Sequence, residues 1–177
     1  MDISLIKPKE CEEAKTLVLE GFRERFGWID DTLNPDIKDI TRHYDGVENH
    51  FFVGTDEKGI VCTGAVKKHG ASTYEIVRMS VRADMRSKGL GRTMLRHLED
   101  TAKSLKAVKL VLETNRAWED AVGFYKRSGF IITGENESRF YFEKNPYRSI
   151  PDFFCFFLIA SHTYLMRRPA AYNVRNP

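Results

Sequence analysis

Val81-Arg82-Ala83-Asp84-Met85-Arg86-Ser87-Lys88-Gly89-Leu90-Gly91-Arg92-Thr93 decides how this sequence is read. An apolar β-rich run, Thr73–Arg82, ends there, a basic loop with two glycines follows, and the hydrophobic period changes at once. Leu90, Met94, Leu98, Ala102 and Leu105 recur at three- and four-residue steps, which predicts a helix. The first N–H groups of a helix lack internal partners and lie at the positive end of its dipole, so a loop of this composition is a seat for an anion. Arg86, Lys88 and Arg92 add charge suited to a pyrophosphate, and Gly89 and Gly91 let backbone approach it closely. The segment is no Walker loop, because Gly-Lys-Thr/Ser is missing, and it lacks the third glycine of a dinucleotide fingerprint.

Outward from this point, Val108–Thr114 reads as the next strand, which makes a strand–helix–strand crossover and hence a parallel pair. Upstream, Asp2–Ile6, His50–Gly54, Ile60–Lys67 and Thr73–Arg82 read as strands joined largely by tight turns. A stripe at Cys11, Ala14, Val18, Phe22 and Phe26 predicts an amphipathic helix, and Asn34-Pro35-Asp36 opens a short helix running to Tyr44. Downstream, a helix carries Trp118, Ala121, Val122 and Tyr125 on one face, and Phe130–Thr133 with Arg139–Glu143 form a last hairpin. The expected fold is α/β: a mixed, mostly antiparallel central sheet with one parallel βαβ crossover, flanked by about four helices.

The chain has 177 residues, 42% apolar and 30% charged, with a net charge of +3. That composition predicts a globular protein with a real core and does not favour a nucleic-acid partner. Residues 1–145 balance 24 basic against 24 acidic side chains, whereas 146–177 carry Arg148, Arg167, Arg168 and Arg175 against Asp152 alone. All 13 lysines precede residue 146. The sequence therefore divides into a domain at 1–145 and an aromatic-rich extension at 146–177. Phe153–Ala160 is the most apolar run, yet too short to span a membrane; it reads first as a sheet cover or a homodimer contact, and otherwise as a membrane-surface segment with Arg167-Arg168 at its edge. With no secretory signal visible at Met1-Asp2-Ile3-Ser4, a cytoplasmic location is expected. Cys11, Cys62 and Cys155 are far apart and lack a histidine partner, so none is read as a nucleophile; the histidines show no metal spacing, and His97 is expected at the surface.

Arg86-x-x-Gly89-x-Gly91 after Met79-Ser80-Val81 resembles the acyl-CoA signature of the general-control-related N-acetyltransferase (GNAT) superfamily. Thr114-Asn115, Ala121, Phe124-Tyr125 and Ser128-Gly129-Phe130 resemble that family's second block, and the likeness covers roughly residues 2–143. The resemblance implies splayed central strands with acetyl-CoA as cosubstrate. It places Met79, Ser80 and Val81 along the pantetheine arm, Arg86, Ser87, Lys88, Gly89, Leu90, Gly91, Arg92 and Thr93 around the pyrophosphate, and Asn115 and Tyr125 in the gap. It implies Tyr125 as general acid toward the departing thiolate, and transfer to a primary amine, of a small molecule or a peptide, without a covalent enzyme intermediate. Glu75 is the candidate base: strict alternation puts it on one face with Val77, Met79 and Val81, where apolar neighbours raise a carboxyl pKa. Glu113 is the second candidate. Asp30, Asp31, Asp36 and Asp39, with Phe26 and Trp28 nearby, predict an acidic rim suited to a cationic amine. Two competing readings are a non-catalytic acyl-CoA-binding or sensing module and an interaction protein that works through its aromatic tail.

Overall fold

In the computed structural model, residues Met1–Tyr147 form one compact unit. The structure describes residues 1–27 and 34–148, so Trp28, Asp30, Asp31, Cys155 and the aromatic run of the extension lie outside the described residues.

This unit opens with strand β1 (Asp2–Leu5) and helix α1 (Cys11–Phe26). Two single-turn helices follow, α2 (Pro35–Lys38) and α3 (Ile40–His43). The sequence predicts one continuous helix here. It breaks at Asp39, whose carboxylate accepts from the Arg42 N–H and the Thr41 hydroxyl, both at 3.1 Å, and so caps a new helix instead of continuing the old one. Strands β2 (His50–Asp56), β3 (Gly59–Lys68) and β4 (Thr73–Val81) form the expected meander. Helix α4 (Leu90–Ser104), strand β5 (Lys109–Asn115), helix α5 (Glu119–Arg127) and the hairpin β6 (Ile131–Glu135) and β7 (Arg139–Lys144) complete the unit. The seven strands order as β1-β2-β3-β4-β5-β7-β6; β4 and β5 run parallel and every other pair antiparallel. No helix among the described residues is long and apolar enough to cross a membrane.

Alternation along β2 and β3 divides the core between the two faces of the sheet. Phe52, Cys62 and Val66 pack with Met94, Leu95, Leu98 and Ala102 of α4, while Phe51, Val53 and Ala65 pack with Ala14, Leu17 and Val18 of α1. The Cys62 thiol is fully buried and its pKa is pushed up to about 11, so it serves as a packing group.

His97 departs from expectation. It is partly buried, its ring set T-shaped to that of Phe52 with centroids 4.5 Å apart, and its Nε2 is buried without a hydrogen-bond partner among the described residues. Burial lowers its pKa, and Asp100 opposes this only in part. A lowered folded-state pKa means that the unfolded chain binds the proton more tightly. Stability attributable to His97 is therefore complete above about pH 6.5 and drains as pH falls below it. The midpoint of thermal unfolding should fall more steeply between pH 7 and pH 5 in the native protein than in His97→Leu; parallel slopes would exclude this role.

Candidate active site

The functional cleft arises from a pairing that stops early. β4 and β5 are hydrogen-bonded only through Thr73–Lys109, Tyr74–Leu110 and Glu75–Val111. Beyond Glu75, β4 continues beside β3 and β5 beside β7, so the two central strands part. The V-shaped gap is a cleft of about 670 Å³, walled by β4, β5 and the cleft-facing sides of α1 and α5. A β4 edge without a strand partner is free to hydrogen-bond an extended ligand.

A bulge sets which side chains enter. Thr63 pairs with Ser80 and Ala65 with Val77, so Arg78 and Met79 together oppose Gly64. Arg78 takes up the extra residue with φ 57°. Side-chain parity flips there: Val77 packs toward α1, while Met79 and Val81 pack with the α4 face. Glu75 therefore does not share a face with Met79 and Val81, as strict alternation predicts. Gly64 makes room for the flipped side chain, because a Cβ would lie 2.8 Å from Leu98 Cδ1 and Met94 Cγ and 3.0 Å from Met79 Sδ.

The bulge is held by an ion pair absent from the sequence reading. The Arg78 guanidinium donates to both Asp36 carboxylate oxygens, at 2.9 and 2.5 Å, and to Asn34 Oδ1 at 2.8 Å. The Tyr44 hydroxyl donates to Asp36 at 2.6 Å. Burial alone would raise the Asp36 carboxyl, but the bonds from Arg78 and Tyr44 outweigh it and hold it below the ordinary range. Asp36 is thus a buried, paired carboxylate rather than part of an acidic rim, and Asp39 caps α3.

Glu75 and Tyr125 both line the cleft. Glu75 is half-buried and its pKa is raised, first by desolvation; His69, Lys67 and Arg78 pull it down and Glu113 pushes it up. Glu113 also lines the cleft but is ion-paired to Arg139. Tyr125 is packed among Phe124, Phe130 and Phe142, and burial pushes its pKa up to about 12. Its hydroxyl has no hydrogen-bond partner among the described residues and so has a free proton to donate. Asn115 lines the cleft and closes the β5–α5 turn, accepting from the Ala117 N–H at 2.9 Å.

At the far end of β4 the chain turns through Ser87 (φ 61°) and Gly89 (φ 84°) into α4. Among the described residues, no acceptor is found for any main-chain N–H from Ser87 through Arg92. Gly91 lies 3.7 Å from Val81 and 3.8 Å from Phe124, measured from where its Cβ would stand, so this run of amides opens beside the end of β4 and the helix bearing Tyr125. Such a run is the nest that a diphosphate fits. Arg86 contributes differently from expectation: its guanidinium binds Val81 O at 3.1 Å and the Glu24 carboxylate, which braces the loop against α1.

Residues 47–132 match the model of the acetyltransferase (GNAT) domain. That stretch is recognised as a GNAT acetyltransferase domain. Among curated proteins the chain is 31% identical over 104 residues to the probable N-acetyltransferase 14 of Xenopus tropicalis, covering 57% of this chain and 50% of that protein. It is 30% identical over 108 residues to N-acetyltransferase 8F1 of Rattus norvegicus, covering 58% and 49%. The chain thus spans about half the length of these relatives. A GNAT-family acetyltransferase from Staphylococcus aureus Mu50 superposes with a TM-score of 0.75 at 19% identity, over 82% of this chain and 98% of that one. The PaiA N-acetyltransferase of Thermoplasma acidophilum, solved in complex with coenzyme A, gives 0.71 at 17% identity, over 81% and 98%. At these identities the structural likeness shows a shared GNAT fold.

The Arg78–Asp36 pair of this GNAT domain supports a double-mutant test. Asp36→Ala leaves a buried guanidinium without its partner and should cost about 3 kcal/mol, read by denaturant unfolding. Asp36→Leu combined with Arg78→Met should cost less than either substitution alone. Additive losses would show that the two residues stabilise independently.

Proposed function

We propose that this domain transfers an acetyl group from acetyl-CoA to a primary amine, with Glu75 as general base and Tyr125 as general acid. The observation that carries the reading is one cleft holding a carboxylate and a phenol hydroxyl that have no partner among the described residues, with a row of amides likewise without acceptors at the end of the strand that forms one wall. Ser87–Arg92 would hold the pyrophosphate, and the free edge of β4 at Met79–Val81 would guide the pantetheine arm into the gap between β4 and β5. Coenzyme A in the PaiA structure, and in that of an aminoglycoside 6'-N-acetyltransferase with the same fold, supports this cosubstrate.

The chemistry balances without a covalent enzyme intermediate. The acceptor arrives as an ammonium, and Glu75 removes one proton, directly or through a water, to free the nitrogen lone pair. Nitrogen attacks the thioester carbonyl, forming the C–N bond, and collapse of the tetrahedral intermediate breaks C–S. Tyr125 donates its proton to the departing sulfur and is restored by the second proton that the nitrogen loses as it becomes an amide, while the first proton, on Glu75, returns to solvent. A phenol with a pKa of about 12 remains protonated throughout the physiological range, so it is always ready to donate. The buried carboxylate is a stronger base than an exposed one, because burial penalises its charged form.

Release of free thiol from acetyl-CoA across a panel of amines tests the reading. Tyr125→Phe should lower kcat about 100-fold while leaving the affinity for coenzyme A intact; unchanged turnover would reject the acid role. Glu75 must be ionised to act, so kcat/KM should climb with pH through a value above that of an ordinary glutamate. The groups facing it are Lys67, His69, Arg78 and Glu113. Glu75→Gln should remove that acid limb and lower kcat by about 100-fold or more; retention of the limb would assign it to another group.

A further inference from the structure

Matching the charges that line the cleft leaves two over. Arg78 is met by Asp36, Arg139 by Glu113 and Arg25 by Asp120. Lys67 and Glu75 both line the cleft, and neither enters an ion pair with a described residue. They are register partners across β3 and β4, so their Cβ atoms stand roughly 5 Å apart on one face of the sheet. The aromatic part of the wall is built by Phe22, Phe26 and Trp118. Phe22 and Phe26 lie 6.3 Å apart, Phe26 and Trp118 5.1 Å apart, and Phe26 is 47% exposed.

Resting on the acetyl-transfer reading of the site, we infer that the acceptor is a free α-amino acid with an apolar side chain, its ammonium at Glu75, its carboxylate on Lys67 and its side chain against Phe22, Phe26 and Trp118. An α-amino acid carries the two opposite charges on one carbon, matching a cation and an anion that are neighbours on one sheet face. A polyamine would bring a second cation toward Lys67 and Arg78, where like charges repel in a partly desolvated wall. A peptide N-terminus has an amide where the free amino acid has its carboxylate, which leaves Lys67 without a partner. The carboxylates of the 34–44 segment do not offset this, since Asp36 is bound by Arg78 and Tyr44, and Asp39 caps α3.

The test compares L-phenylalanine with 2-phenylethylamine, which has the same ring and amine but no carboxylate, using acetyl-CoA and thiol release. The native protein should favour phenylalanine by about tenfold or more in kcat/KM, the share of one half-buried charge pair. Lys67→Met should bring the ratio of the two close to one, Lys67→Glu should invert it, and Lys67→Arg should preserve it. A ratio near one in the native protein, or a ratio unmoved in Lys67→Met, overturns the inference. Efficient acetylation of phenylethylamine alone overturns it while leaving acetyl transfer to amines intact. Failure to acetylate either compound overturns it as well, and the broader amine panel then decides separately whether the domain transfers acetyl groups.

Discussion

Arg78 is the residue on which the cleft depends. A non-glycine residue at φ 57° costs on the order of 1 kcal/mol, and in a strand it interrupts the ladder as well. That conformation persists because the guanidinium is locked from the other side by Asp36 and Asn34, with Tyr44 completing the Asp36 shell. The Thr63 hydroxyl adds a bond to the Arg78 carbonyl at 2.8 Å, so the bulge is fixed through main chain and side chain together. The consequence is a strand with two personalities. Its first half presents Glu75 and Val77 toward α1, and its second half presents Met79 and Val81 toward α4. On the proposed acetyl-transfer reading, one strand would face the acceptor with its first half and the cosubstrate arm with its second.

The same region carries two sets of main-chain groups largely without partners among the described residues: the β4 edge beyond Glu75, where Arg86 meets only the Val81 carbonyl, and the amides from Ser87 to Arg92. Water can meet such groups where they are exposed, but they are arranged as no folding requirement demands. Helix starts are ordinarily closed by a serine, threonine, aspartate or asparagine cap; here the cap position is Gly89, with no side-chain hydrogen bond. Glycine in place of a capping side chain gives up only about a few tenths of a kcal/mol and leaves the amides open to an anion. Binding a ligand there returns stability by mass action, about 2.7 kcal/mol when the ligand is at 100 times its dissociation constant.

Most of the architecture was legible because its signals are local. The change of period after Arg82, the glycine-containing loop and the strand beginning near Val108 lie within one short stretch, and together they require a parallel crossover. Glu75 follows from its place on the strand, Tyr125 and Asn115 from the resemblance of the second motif block, and the structure brings all three to one cleft. What sequence did not disclose depends on partners far along the chain. The bulge is specified by Asp36, 42 residues before Arg78, and without it alternation assigns Met79 and Val81 to the wrong face. Asp36 reads as surface charge until its arginine is known. His97 reads as exposed because it falls beside Leu98 of the apolar stripe, not on the stripe, yet Phe52 of a distant strand packs against it. Lys67 became informative only after every other cation of the cleft had been matched to a carboxylate.

The end of α1 connects the two halves of the cleft. Glu24 is paired with Arg86 of the amide-bearing loop, while the next residue, Arg25, makes a two-pronged pair with Asp120 at 3.0 and 2.7 Å and lies over the Trp118 ring at 4.7 Å. Phe26 then packs on Trp118. Consecutive residues of one helix therefore grip the loop after β4 and the helix after β5, the two strands that part. These contacts bridge the gap where no sheet hydrogen bond can. Individually, exposed ion pairs contribute little, at most about 1 kcal/mol each. Their value is geometric: by tying both banks to a single rigid helix they fix the width of the opening, so a thioester and an amine entering from opposite faces would meet at a set distance rather than across a flexing gap.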